Sequence, residues 1–493
     1  MKFYSTRNKD ITITAGQAMI RGLAEDGGLF VPENLDVKIP QPDYANISYQ
    51  DLAFTVMRPF LDDFTDEELR TCIDLAYDDK YDTAEIAPLR QLSDSWMLEL
   101  WHGPTAAFKD LALTIMPHML TAAYAKEGRD DTVAILTATS GDTGKAALAG
   151  FADVPNTAIT VFFPEDGVSP VQKRQMQTSR GDNVSVIAVR GNFDDCQRMV
   201  KECTTDPVVR AAGKHVTISS ANSINIGRLL PQMVYYYAAY AALVKSGAIT
   251  AGEEVSFSVP TGNFGDILAG YMARQSGLPV RHLICASNEN NVLTDFLHTG
   301  TYDARRPFHM TMSPSMDILI SSNLERLLFF ASNGDDAMVR ACMQALKKTG
   351  AYTIPAELLA KLQEIFIGFY APEEACRKEI AGLYQNEQVL IDPHTAVAMH
   401  AMHEYKKKNP DIPCVVLSTA SPFKFSRSVL ACLDQPLPED EFAAMRNLAA
   451  LSGLKIPQGL AELETLPVRF REVIDRAEGK AMIMKRMEEL SHD

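Results

Sequence analysis

The chain has 493 residues, 46% hydrophobic and 22% charged, enough to bury the cores of two or three domains. Its 63 acidic against 47 basic side chains leave a net charge of −16, which argues against nucleic acid as a partner, because phosphate-backbone binding needs a basic footprint. The opening MKFYSTRNKD lacks a secretory apolar run, the run Met233 to Val244 is shorter than a membrane span of about 20 residues, and eight cysteines without CxxC spacing read as reduced, buried thiols of a cytoplasmic protein.

Residues 1–98 read as a separate leader, mostly helical and turn-rich, with helices predicted over Thr14–Ala24 and Thr65–Ala76 and turns at Gly27 and Gly28. Next comes WHGPTAAFKDLALTIMPHML (101–120), in which Lys109 follows a Gly-Pro turn and opens an apolar-periodic helix. A helix N-terminus disfavours a second cation, and the apolar flank Ala106, Ala107 and Phe108 disfavours it by desolvation. Both effects push Lys109 towards the free amine that condenses with aldehydes such as pyridoxal phosphate; the plainer reading is a solvated lysine in a first helical turn.

From Asp131 the pattern alternates strand and helix: DTVAILTAT, AITVFFP, VSVIAV and HVTISS, with helices from Thr143, Pro170 and Phe193 between them. That is a small parallel α/β unit. A second unit has strands near 254–259, 281–286 and 413–418 and helices including Asp335–Thr349 and Pro372–Tyr384, and the tail, 440–493, reads as helix and loop packed back on the body.

Two strand ends carry chemistry. VSFSVP (255–260) runs into Thr261-Gly262-Asn263-Phe264-Gly265-Asp266 and a helix. Gly262 and Gly265 let backbone amides approach an anion, and the helix points its unpaired N–H groups at it; a plain strand-to-helix turn is the competing reading. CVVLS (414–418) ends in Ser418-Thr419-Ala420-Ser421, where a hydroxyl either meets a ring nitrogen or caps the next helix.

Three other motifs fail on inspection. Ser140 to Lys145, SGDTGK, lacks the first glycine and the magnesium hydroxyl of a nucleotide P-loop, since Thr139 and Ala146 stand at those positions. His394, His400 and His403 share a helical stretch without a zincin pattern, so packed or solvent-facing histidines are the simpler reading. No GxGxxG follows a strand, and nicotinamide dependence has no support.

HGPTAAFKD, GNFGD and STASPFKFSRS, together with YSTR (4–7), GLAEDGGLFVP (22–32), TATSGDTGKAAL (137–148), SANSINIGRLLPQ and DPHTAVA (392–398), resemble the pyridoxal-phosphate enzymes of the tryptophan-synthase β-subunit fold. Among these, nearly the whole chain is similar to the threonine synthases of the long microbial and fungal type. The resemblance implies an α/β protein of fold type II, with two parallel-sheet α/β domains (99–225 and 226–440), an N-terminal leader (1–98) and a C-terminal tail (441–493). It implies a lyase that eliminates the γ-phosphate of O-phospho-L-homoserine and adds water at Cβ to give L-threonine, the last step of threonine biosynthesis. The alternatives are a serine/threonine dehydratase or cysteine synthase of the same fold, against which SANSINIGR and the leader speak, and a non-catalytic homologue, against which the joint presence of Lys109, the phosphate turn and Thr419 speaks.

The residue roles follow from the same resemblance. Lys109 carries pyridoxal 5'-phosphate covalently and moves protons at Cα and Cβ. Gly262, Asn263, Phe264, Gly265 and Asp266 bind the cofactor phosphate, with Asp266 expected to cap the helix and turn its carboxylate away. Thr419 meets the pyridine nitrogen, and Asp142 stands near the cofactor's 3′ oxygen where many relatives of the fold carry asparagine. Lys145, Lys173, Arg174, Asn222, Ser223 and Arg228 are candidate ligands of the substrate phosphate, and Ser140, Thr143 and Asn225 candidate contacts of its carboxylate or hydroxyl. An anionic substrate meets a chain of net charge −16, so local cations must hold it. No metal is implied, and the oligomeric state stays open.

Overall fold

Runs of consecutive buried residues mark the strands that carry the architecture. Thr157–Pro164, Val255–Pro260 and Cys414–Ser418 are buried along their whole length, as parallel sheets covered on both faces require. The computed structural model describes residues 1–491 other than 41, 130, 140, 167 and 214.

The smaller sheet has five parallel strands in the order Val473–Asp475, Val184–Arg190, Thr157–Pro164, Thr132–Ala138, Val216–Ser219. The larger has six, in the order Phe366–Tyr370, Val280–Ser287, Val255–Pro260, Cys414–Ser418, Trp96–Glu99, Leu89–Gln91, all parallel but the last. Strand Phe366–Tyr370 was absent from the sequence reading.

The leader departs from the mostly helical unit expected for 1–98. It contains a three-stranded antiparallel sheet, Asn8–Ile13, Phe3–Ser5 and Phe30–Pro32, and its last two strands belong to the large sheet, so residue 98 falls inside Trp96–Glu99. Four of these strands, of three or four residues, are too short to display an alternating pattern, and the six-residue Asn8–Ile13 buries only Ile13. The leader's two predicted helices form as Ala15–Arg21 and Asp66–Ala76, with Thr14 and Thr65 as N-caps that close capping boxes with Gln17 and Glu68. The leader is tied to the body by Thr6 Oγ1 and Arg7 Nη2, which donate to Glu325 at 2.5 and 2.6 Å, and by Tyr77 OH, which donates to the Leu111 carbonyl at 2.7 Å.

The tail is more than helix and loop. Its strand Val473–Asp475 adds to the edge of the small sheet, and Ile474, Ile483 and Met487 pack into the apolar layer formed by Ile187, Val189 and Cys196. Arg174 straps it down: Nε donates to the Leu463 carbonyl at 2.8 Å and Nη2 to the carbonyls of Glu464 and Leu466 at 3.2 and 2.8 Å. This corrects the expectation that Arg174 binds substrate phosphate, because a guanidinium fixed on three carbonyls is committed to the fold. Lys173 likewise donates to the Glu165 carbonyl at 3.0 Å.

Arg174→Ala should lower the unfolding free energy by about 1.5–3 kcal/mol, the worth of hydrogen bonds to a charged group, and speed proteolytic loss of the tail. Thermal melting and limited proteolysis check this; an unchanged melting temperature with an intact tail contradicts the strap.

Candidate active site

Lys109 is placed by a backbone stitch. Ala107 and Ala420 form an isolated antiparallel bridge, Phe108 N–H donates to the Thr419 carbonyl at 2.8 Å, and Ser421 N–H donates to the Ala106 carbonyl at 3.1 Å. Ala106 takes φ 56, a left-handed turn for a residue with a side chain, which swings the chain from the Gly-Pro turn into the stitch. Lys109 then caps the four-residue helix Asp110–Leu113. So short a helix has little dipole, and burial is the chief cause that brings the Lys109 amine down to about 8. Lys424 and Arg228 push it the same way, while Asp142 and Asp110 oppose them.

Asp142 lies at the other lip of the cleft. It opens the helix Asp142–Phe151 after Gly141, whose φ of 146 and whose absent Cβ, which would stand 2.4 Å from Gln172, only glycine supplies. Its carboxylate is buried, with Oδ1 2.6 Å from Lys424 Nζ and 3.0 Å from Gln172 Nε2, and Oδ2 3.3 Å from Ser315 Oγ and 3.9 Å from Lys109 Nζ. Burial opposes its charge, but Lys424 and Lys109 outweigh burial and hold the carboxyl well below the usual carboxylate range. Lys424 is fully buried and also donates to the Thr105 carbonyl at 3.0 Å. It stood in the quoted segment SPFKF without a role; a lysine set between Phe423 and Phe425 was the available signal.

The third wall is the turn after Val255–Pro260. Phe264 takes φ 65 and caps Gly265–Gln275 without a side-chain bond, and among the described residues the amides of Gly262 through Ile267 donate to no acceptor. A Cβ at Gly265 would meet Asn323 Nδ2 at 3.5 Å and Ser223 Cβ at 3.7 Å, ordinary contact, whereas at Gly262 it would press on the Ser315 carbonyl at 3.2 Å. Unpaired amides at a strand-to-helix turn have the geometry of an anion cradle. Around it Ser321 Oγ donates to the Gly262 carbonyl at 3.0 Å, and Asn323 Nδ2 donates to the Asn263 carbonyl at 3.1 Å and to Ser223 Oγ at 3.2 Å, a support the sequence reading missed. His394, set aside as a metal ligand, bonds Asp392 at 2.5 Å through Nδ1 and accepts Ser315 N–H at Nε2. His400 and His403 instead face Glu379.

Cradle, amine and hydroxyl share one end of the large sheet, because Val255–Pro260, Cys414–Ser418 and Trp96–Glu99 are neighbouring parallel strands whose C-terminal ends all point the same way. Free amides for a phosphate, the Lys109 amine for an aldehyde and the Thr419 hydroxyl, which bonds no described residue, form a donor set that fits pyridoxal phosphate.

The remaining candidates divide. Asp266 does not cap its helix: Oδ1 accepts Tyr235 OH at 2.6 Å and Tyr236 OH at 2.9 Å, Oδ2 is buried without a partner, and burial raises the carboxyl to about 6. Asn225 is committed to the fold, accepting Gly227 N–H as N-cap and donating to the Met19 carbonyl at 2.8 Å. Arg228 is buried, donates only from Nη1, to the Ala221 carbonyl at 3.1 Å, leaves Nε without a partner, and pairs with no carboxylate among the described residues. Burial accordingly brings it down to about 10. Lys145 donates to Ser179 at 3.4 Å, and burial lowers it to about 8. Asn222 and Ser223 are half-buried on the segment leading to Arg228, Thr143 is half-buried in the first turn after Asp142, and Ser140 lies outside the described residues.

Three family models match the chain: threonine synthase N terminus at residues 2–77, pyridoxal-phosphate dependent enzyme at 85–419, and threonine synthase, C-terminal, at 395–483. The threonine synthase of Pseudomonas aeruginosa is 41% identical over 87% of this chain and 90% of its own. The crystal structure of pyridoxal-phosphate-bound threonine synthase from Brucella melitensis superposes with a TM-score of 0.88 at 35% identity over the full length of both chains. That of the yeast enzyme gives 0.88 at 33% identity over 99% of this chain and 98% of its own.

Gly265→Ala should fold with near-native stability yet retain pyridoxal phosphate poorly, because its methyl group stands among the unpaired amides and meets the protein only at ordinary contact distance, against Asn323 and Ser223. Gly262→Ala should lose stability as well, by about 1–3 kcal/mol, since backbone must shift. Melting curves beside cofactor content after dialysis separate the two; equal cofactor retention in Gly265→Ala and wild type would remove the cradle.

Proposed function

Because the chain belongs to the threonine synthase family of pyridoxal-phosphate-dependent lyases, whose reaction takes phosphate from O-phospho-L-homoserine and adds water to give L-threonine, we propose how its residues divide that work. Bound pyridoxal phosphate supplies the electron sink that makes the substrate's Cα and Cβ protons acidic. The amides of Gly262 to Asp266 anchor it by the phosphate. Thr419 offers its ring nitrogen a neutral hydroxyl, which leaves that nitrogen largely unprotonated and suits elimination over transamination. Lys109, held near neutrality by burial, serves as the covalent attachment point and as the base that takes and returns protons at Cα and Cβ. Asp142 stands beside that amine and orients it.

The observation that carries the substrate assignment is Arg228. A buried guanidinium with an unpartnered Nε and no carboxylate paired to it among the described residues invites an anion, and Lys145, Asn222, Ser223 and Thr143 are its companions in holding the departing phosphate and the rest of the substrate. Eight buried cysteines without a disulfide support a reducing, cytoplasmic setting.

Adding pyridoxal phosphate to the stripped chain should turn it yellow, and borohydride should then fix the label on Lys109. With the amine near 8, the free-base fraction and so the colouring rate should rise about ten-fold between pH 7 and pH 9. A label on another lysine sinks the assignment.

Arg228→Ala should cut kcat/KM for O-phospho-L-homoserine by about ten- to a hundred-fold, as the loss of a charge-assisted hydrogen bond of about 1.5–3 kcal/mol requires. Binding of an amino acid that lacks the phosphate should change little. Equal losses for both ligands would assign Arg228 to the fold or to the α-carboxylate, and release of phosphate from phosphoserine but not from O-phospho-L-homoserine would favour a β-eliminating activity.

A further inference from the structure

Two lysines face one carboxylate in this site, and only one of them is needed as a nucleophile. Lys424 Nζ lies 2.6 Å from Asp142 Oδ1, is fully buried, and is fixed by a second bond to the Thr105 carbonyl. Lys109 Nζ lies 3.9 Å from the other oxygen, its side chain 13% exposed, and 4.7 Å from the centroid of the Phe108 ring. A single buried carboxylate can neutralise one ammonium. The lysine that is closer, sealed from water and doubly hydrogen-bonded takes that carboxylate, and the looser one is left without it.

We propose that Lys424 is a positioning residue for Lys109: it claims Asp142 as its permanent partner, so that Lys109 is left as the surplus cation of the cluster, the one readiest to yield the free amine. The inference rests on the reading of Lys109 as the amine that carries the cofactor. The other charged groups facing Lys109 are Asp110 on its own helix, Arg228 on Ile226–Lys245 and Asp266 on Gly265–Gln275, while Lys145 faces Asp110 and Lys424 from Asp142–Phe151. Asp110 is committed to Thr105, accepting its N–H and hydroxyl at 2.8 and 2.6 Å, and Asp266 to two tyrosines. Among the described residues Asp142 is the carboxylate that lies within 4 Å of both lysines, and the directions agree: Asp142 raises Lys109 and Lys424 lowers it.

The test follows the pH midpoint for modification of Lys109 in the full-length chain stripped of cofactor. It is read in parallel by colouring with pyridoxal phosphate and by trinitrobenzenesulfonate labelling located by mass spectrometry, with circular dichroism as the check on folding. In Lys424→Met, Lys109 inherits Asp142 and holds its proton, so the midpoint should rise by about one unit or more and the rate at pH 7 should fall about ten-fold. Lys424→Arg keeps the cation and should keep the wild-type midpoint. Asp142→Asn, nearly isosteric, should move the midpoint the other way. An unchanged or lowered midpoint in Lys424→Met, or an Arg variant displaced as far as the Met variant, overturns the proposal. Should the Met variant not fold, a midpoint in Asp142→Asn at or above wild type overturns it just as well. Wild-type protein that takes the nitrophenyl label but never colours would defeat the cofactor reading instead, and the labelling midpoints would still decide the role of Lys424.

Discussion

The stitch between Ala107 and Ala420 is the contact on which the site depends. Two peptide hydrogen bonds on either side of one bridge lock the loop before Lys109 to the end of the strand Cys414–Ser418, so the amine and the Thr419 hydroxyl are positioned by backbone rather than by side-chain packing. Backbone positioning tolerates little slack, since each bond fixes a carbonyl direction as well as a distance. The left-handed Ala106 is the strain accepted for it.

A second layer of support comes from the leader. Glu325 takes Thr6 and Arg7, and the neighbouring Arg326, wholly buried, donates to the carbonyls of Phe30, Ser223 and Ile224 and to Asn323. Leader, the segment before Ile226–Lys245 and the Asn323 support of the glycine turn thus meet on two consecutive residues. Burying a guanidinium so completely is costly, and burial brings it down to about 9; four acceptors, three of them carbonyls, are what make it tolerable. The YSTR motif is explained by this junction, away from the chemistry.

What the sequence disclosed was whatever short-range chemistry declares. A glycine turn between strand and helix, a lysine after Gly-Pro amid apolar neighbours and a hydroxyl at a strand end each carry their signal within a few residues. Partnerships across the fold do not. Arg174 and Arg228 are both cations on helices, and only the tertiary contacts show that one straps the tail while the other meets no carboxylate among the described residues. Asp266 and Asn225 were read as site contacts for the same reason: their tyrosine and leader partners lie elsewhere in the chain. Lys424 went unassigned because its meaning is Asp142, which approaches from the other sheet.

The edge strand Val473–Asp475 has a consequence for how the chain comes off the ribosome. Synthesis proceeds from the N-terminus at about 5–20 residues per second, and the small sheet is otherwise complete once Val216–Ser219 has emerged. From then until the last strand arrives, Val184–Arg190 presents an open hydrogen-bonding edge, flanked by apolar Ile187 and Val189 that Ile474 will later cover. Such an edge is a template for pairing with another nascent chain. The half-built protein is therefore most prone to aggregate late in translation, during the interval in which its small sheet waits for its own C-terminus.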